Sequence, residues 1–177
     1  MGADVQGARR GVPDKSADLQ SSNACRCSDV QNPNRLYYKQ NAINYSATAL
    51  QKLIPGEWRE RSTFVPIPPS KTKSDPGYDF RLLSILRAVR PRLKDVRELI
   101  LQTECTVSKQ KQVSLEERVA ILEVNEECED PTPQHIVIFD DVVAGGTHFR
   151  ATKLVLERRF PNVKISGLFL ARSVRSS

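Results

Sequence analysis

The chain has 177 residues, 39% of them hydrophobic and 27% charged. That balance suits one globular domain whose core, burying roughly two thirds of the unfolded chain's surface, needs neither a disulfide nor a metal to fold. No run approaches the 18 or so apolar residues of a membrane span. The opening Met1-Gly2-Ala3-Asp4-Val5-Gln6 has no apolar stretch of the secretory kind and carries Gln6 where myristoylation wants Ser or Thr, so the expected address is the cytoplasm. Twenty-seven Lys+Arg against 21 Asp+Glu leave a charge of +6, compatible with an anionic partner (phosphorylated metabolite, nucleic acid or acidic surface) and equally with solubility alone.

Residues 1–33 are polar and without apolar period, and read as a flexible N-terminal arm; residues 34–177 read as the domain. From Asn34 to Leu53, Leu36, Tyr37, Ile43, Ala47 and Leu50 fall near helical spacing, and Pro55-Gly56 stops the helix. The 34–60 stretch is thus a flanking helix or part of a hood, with Trp58 an anchor in either. Arg61–Ile67 is rich in β-formers and predicts a strand. Pro66, Pro68 and Pro69 remove backbone donors and turn it into a stiff loop, Ser70-Lys71-Thr72-Lys73-Ser74-Asp75-Pro76-Gly77. A helix is expected from about Tyr78 to Val89, and a second strand at Glu98–Gln102. A Lys-bearing loop with Lys109 and Lys111 follows. Ser114-Leu115-Glu116-Glu117 has the capping-box form and predicts a helix to about Asn125.

His135-Ile136-Val137-Ile138-Phe139 is a continuous apolar run, as in a parallel strand covered on both faces; His135 reads as a surface residue at its start. It is expected to end in Asp140-Asp141, pass through Val142-Val143-Ala144-Gly145-Gly146, and open a helix over Thr147–Phe160. Val163–Leu170 predicts a last strand. Strands alternating with helices, without internal repeat, predict an α/β fold with a mainly parallel sheet flanked by helices. The cysteines Cys25, Cys27, Cys105 and Cys128 do not form the two close pairs of a zinc site, and are read as reduced thiols.

The chemistry concentrates at 136–149. A buried parallel strand brings two carboxylates to the edge where α/β sheets bind ligands, and the following small-residue loop opens a helix. Gly145 and Gly146 let backbone N–H groups close around an anion, and the helix start adds positive partial charge. The acids would repel a phosphate, so they suit a vicinal diol beside it. A 5-phosphoribosyl group has both features. His148 fits either a phosphate contact or a plain helix start; Arg118 and Arg172 fit either anion contacts or a helix surface and a chain end.

Val137-Ile138-Phe139-Asp140-Asp141-Val142-Val143-Ala144-Gly145-Gly146-Thr147-His148 resembles the phosphoribosyl pyrophosphate motif of type I phosphoribosyltransferases. Phe64-Val65-Pro66-Ile67-Pro68-Pro69-Ser70-Lys71, Gly77-Tyr78-Asp79 and Leu168-Phe169-Leu170-Ala171-Arg172-Ser173 resemble the ComF branch of that superfamily, associated with DNA uptake. The resemblance covers residues 61–177 and implies a Rossmann-like core. It implies that Asp140 and Asp141 hold the ribose hydroxyls, that Ala144, Gly145, Gly146, Thr147 and His148 wrap the 5′-phosphate, and that Ser70, Lys71 and Lys73 meet pyrophosphate. It further implies Mg2+, expected through the substrate with no residue assigned to it directly and Asp140 and Asp141 left open as ligands, and a ligand that is phosphoribosyl pyrophosphate or a nucleoside monophosphate. Lys109 and Lys111 match a mobile hood. Where the family usually has hydroxyl residues this chain has Ala144, Gly145 and His148, at a cost of about 1 kcal/mol per lost donor, partly offset where His148 donates or is protonated. Three functions follow as expectations: transfer of the phosphoribosyl group to a nitrogenous base or amine, silent sensing of the same ligand, or nucleic-acid association through the basic surface. A homodimer is left open.

Overall fold

Two apolar stretches form the centre of the fold in the computed structural model, which describes residues 33–105 and 113–173. They are β1 (Thr63–Pro66) and β5 (His135–Val143), hydrogen-bonded in parallel with Thr63 opposite Ile136 and Pro66 opposite Phe139. Outside β1 lies β2 (Asp95–Val96), and outside β5 lies β6 (Lys164–Arg172), giving an all-parallel sheet of order β2-β1-β5-β6. Such a sheet needs cover on both faces. On one face Phe64, Val137 and Phe139 pack against α1 (Pro33–Leu53) and α3 (Arg81–Ala88) through Ile43, Ala47, Leu50, Ile54, Ile85 and Leu86. On the other, Val65, Ile136 and Ile138 meet Ala151, Val155 and Leu156 of α5 (Thr147–Arg159). The period-2 alternation of the central strands thus sorts the core into two halves. The short α2 (Gly56–Arg61) sets Trp58 against the first half and edge-on to His135, ring centres 5.1 Å apart.

Several expected elements differ. The second strand of the sheet is Asp95–Val96, not Glu98–Gln102. It is too short and polar to show in a hydrophobic pattern, and is held by Thr63 Oγ1 donating to Asp95 Oδ2 (2.6 Å) and Arg97 N–H to the Phe64 carbonyl (3.0 Å). β3 (Ile100–Gln102) instead forms a separate antiparallel pair with β4 (Leu122–Val124). That pairing ends the expected 114–125 helix early: α4 spans only Leu115–Ala120. Its capping box is present, Glu117 N–H donating to Ser114 Oγ and Ser114 N–H to Glu117 Oε2. Leu122-Glu123-Val124, however, alternates with period 2, and β3 recruits it; Leu122 is buried and Glu123 exposed. α3 starts at Arg81 rather than Tyr78, because the Asp79 carboxylate accepts the Arg81 N–H (3.1 Å) and Tyr78 N–H closes a turn on the Asp75 carbonyl. β5 does not stop at the acid pair but continues to Val143, and β6 reaches Arg172. His135 is half-buried, bridging Ser62 Oγ (2.8 Å) and Ser166 Oγ (2.9 Å), not a surface residue.

Gly167 in β6 is a packing requirement. A Cβ there would lie 2.8 Å from Phe149 Cε2 and 2.8 Å from Phe169 Cε2, rings that meet edge-to-face at 5.4 Å. Gly167→Val is expected to cost about 1–3 kcal/mol through overpacking, read as a lower urea midpoint with unchanged slope. Among the described residues no helix is long and apolar enough to cross a membrane, and Cys105 and Cys128 are free thiols.

Candidate functional site

From the central pair the chain leaves in opposite directions: β1 crosses through α3 to β2, and β5 crosses through α5 to β6. The two loops diverge at the C-terminal ends of adjacent strands and leave a crevice between them, the switch point where open α/β sheets bind ligands. Prolines sharpen it. β1 runs out at Pro66, the Ile67 N–H makes a last bond to the Phe139 carbonyl (2.9 Å), and beyond it β5 pairs with β6 alone, out to Val143 opposite Arg172. Asp140 and Asp141 are the first residues past the parting.

Because β5 continues through them, the two carboxylates leave on opposite faces of the strand. Asp140 follows Ile136 and Ile138 to the α5 side. There it lines a cleft of about 320 Å3 with Val113, Arg118, Val142, Val143, Ala144, Gly145, Gly146, Thr147, His148 and Phe149. Asp141 follows Val137 and Phe139 to the α3 side, where Arg81 Nη2 meets its Oδ2 at 2.7 Å. Asp140 Oδ1 accepts the Asp141 N–H (2.9 Å). Burial, and then the Asp141 charge, push the Asp140 pKa up to about 6. An ionised Asp140 at neutral pH is short of donors.

Gly146 takes up a left-handed conformation (φ 70°) as the N-cap of α5, which explains a glycine at this corner. No side chain caps α5, so its first-turn N–H groups keep their capacity for an acceptor. Thr147 and His148 open that turn beside the cleft. His148 keeps an exposed edge, yet the protein around its ring, and secondly the Arg118 charge, lower its pKa to about 4. That shift favours the neutral ring at pH 7, which can still donate or accept at this corner. The Arg118 Nε, also at this cleft, is inaccessible and without a hydrogen-bond partner.

Ser70, Lys71 and Lys73 do not line this cleft. They lie in the loop after β1, at the same sheet edge. Lys71 Nζ is 3.0 Å from Asp75 Oδ1, which also takes the Gly77 N–H (2.7 Å); the Gly77 bond first, then Lys71, lowers the Asp75 pKa. Lys73 Nζ lies 3.2 Å from Glu98 Oε2, and the Tyr78 hydroxyl donates to Glu98 Oε1 (3.1 Å). Ser70 is tied through its carbonyl to Gln102 Nε2 (2.8 Å). Lys71, part-buried, and Lys73, exposed, thus each sit beside a carboxylate. Arg81 went unnoticed in the sequence; its neighbour Asp79 is the only local hint, and the partner that matters, Asp141, is remote in sequence. Lys109 and Lys111 fall outside the described residues. No family model matches the chain and no curated protein matches it, so the reading of this cleft rests on its own chemistry.

Proposed function

We propose that the chain is a type I phosphoribosyltransferase-like protein of ComF kind. It would bind phosphoribosyl pyrophosphate or a nucleoside monophosphate with Mg2+, and transfer the phosphoribosyl group to a nitrogenous base or amine with release of pyrophosphate. The observation that carries this reading is the shared cleft: a donor-poor carboxylate, Asp140, and an uncapped helix start with its glycine corner face one space at the switch point. Phosphate at the loop and a ribose hydroxyl at Asp140 answer both needs, while Asp141, outside the cleft and held by Arg81, would take the second hydroxyl only by sharing its carboxylate with that guanidinium. Among the described residues no three ligating side chains cluster. Mg2+ is proposed in its usual nucleotide mode, one or two carboxylates plus substrate phosphates, with Asp140 the carboxylate that lines the cleft. Bound so, the ion would neutralise charge on the departing pyrophosphate. Lys71 and Lys73 would serve that same charge only after exchanging Asp75 and Glu98 for it. Their present engagement favours, as a second reading, a non-catalytic sensor of the same ligand.

Thermal unfolding with Mg2+ and phosphoribosyl pyrophosphate tests the site. Ligand at 100 times its Kd adds about 2.7 kcal/mol, a Tm rise of roughly 5–10 °C at this size, absent in Asp140→Asn/Asp141→Asn. No rise in the native protein at millimolar ligand sinks the proposal and turns the search to nucleic acid at the basic surface. Where binding is present, pyrophosphate release with a panel of bases separates transferase from sensor.

A further inference from the structure

We infer that Arg118 is the charge that makes this cleft selective for a terminal phosphomonoester, its guanidinium taking the place of the hydroxyl donors that the 144–148 loop lacks. The inference builds on the proposed ligand site but stands on a separate observation: in this cleft the Nε of a part-buried guanidinium is held out of water with no acceptor. Arg118 lines the same space as Gly145, Gly146, Thr147 and His148. Its Nε is inaccessible and has no acceptor, and among the described residues it forms no ion pair.

Two other arginines drawn into the fold are fully engaged. Arg59 gives its guanidinium to the carbonyls of Gln51, Ile54, Arg90 and Pro91. Arg97 meets Asp95 and the carbonyls of Cys128, Glu129 and Pro131. Arg81 also leaves its Nε without a hydrogen-bond partner, but its Nη2 is 2.7 Å from Asp141 Oδ2, whereas Arg118 has no ion pair among the described residues. Native proteins rarely leave such a group unmatched. Asp140 lines the cleft too, but no ion pair or hydrogen bond joins it to Arg118 among the described residues. Nor is Arg118 on a loose tether. α4 begins at a complete capping box, and Leu115 and Val119, flanking Arg118, pack onto the α5-side core.

The chemistry of the pair defines the ligand. A guanidinium offers a planar fork that binds two phosphate oxygens at once, while the first-turn N–H groups of α5 suit the third. A monoester presents three free oxygens and up to two charges; a diester of a nucleic acid backbone presents two oxygens and one charge, and leaves half of this set unmet. His148, neutral, serves as a donor or acceptor at the rim and not as the positive charge.

The chain has two histidines, His135 and His148, so imidazole carbon–proton NMR reports this cleft with an internal control on the far side of the sheet. Full-length native protein, Arg118→Gln, Arg118→Lys and Asp140→Asn/Asp141→Asn would each be titrated with inorganic phosphate, ribose 5-phosphate and dimethyl phosphate. Phosphate and ribose 5-phosphate are expected to move His148 and leave His135 in place, with dimethyl phosphate at least about tenfold weaker. Arg118→Gln is expected to weaken phosphate by about tenfold or more, and Arg118→Lys to recover part of the loss. The acid-pair variant should bind inorganic phosphate at least as tightly as the native protein, since it loses the repelling charge, and lose the extra affinity for ribose 5-phosphate. Native affinity for phosphate in Arg118→Gln, or a diester bound as tightly as the monoester, overturns the inference. Arg118-dependent phosphate binding with no gain from the ribose overturns the phosphoribosyl reading instead. No response of native His148 to millimolar phosphate or ribose 5-phosphate overturns both.

Discussion

Asp140→Asn is expected to make the ligand-free protein more stable at pH 7.5, by on the order of 2 kcal/mol or roughly 4–8 °C in Tm. The native Asp140 pKa is raised to about 6 by burial and by the Asp141 charge, against about 3.9 in an unfolded chain. A pKa raised on folding means that the folded state holds its proton more tightly. The native protein therefore has its full stability from this group below about pH 4, and loses it as pH climbs through 6. Asn carries no such penalty, and its amide oxygen can still accept the Asp141 N–H. The difference between variant and native should vanish near pH 4, open between 4 and 6, and stay level above. Asp141→Asn should not show the same gain, because it strips Arg81 Nη2 of the carboxylate 2.7 Å away. Equal Tm values for Asp140→Asn and native protein across pH 4–8 would show that Asp140 is not held against its own charge. A residue that destabilises the empty fold and is needed by the ligand is the pattern expected of a binding site.

The sequence carried the 135–160 unit well because every signal in it is local. A buried strand, an acid pair, a glycine corner and a helix follow one another without a long-range partner; the strand's extension to Val143 was hidden, since that depends on β6 running alongside. The α1 stripe and the proline stop of β1 were legible for the same reason. What failed was decided by pairing across the chain. Asp95–Val96 has no pattern of its own and becomes a strand through Thr63 and Arg97. Leu122–Val124 sits behind a good capping box, yet goes to β3. At the candidate site, the acid pair and the glycine corner could be read from adjacency. Arg81 could not, because its meaning lies in Asp141. Arg118 was ambiguous because its significance is a missing partner, and a sequence does not show absence. His135 reads as a surface residue only until Ser62 and Ser166 from neighbouring strands close on its two ring nitrogens.

Leu50→Ala is expected to cost about 2–5 kcal/mol, the largest loss for a single truncation on α1. Leu50 is fully buried, and with Ile43, Ala47 and Ile54 it forms the stripe that meets Phe64, Ile85, Leu86 and Phe139. The opposite face, with Tyr38 and Tyr45 at 70% and 78% exposure, buries little, so Tyr45→Ala should stay within about 0.5 kcal/mol. The helix is also tied at both ends. The buried Arg59 draws the carbonyls of Gln51 and Ile54 toward those of Arg90 and Pro91. Near the start of α1, Lys39 Nζ holds Asp79 Oδ1 at 2.8 Å, and Asp79 in turn fixes the first N–H of α3. From there Arg81 reaches Asp141, so packing around Leu50 supports the geometry of the acid pair from the α3 side. Urea unfolding decides the matter. A Leu50→Ala midpoint shift no larger than that of Tyr45→Ala would mean that α1 is not part of the cooperative core. A large shift with an unchanged slope would mean that the helix folds with the sheet, and that the acid pair's support begins outside the sheet itself.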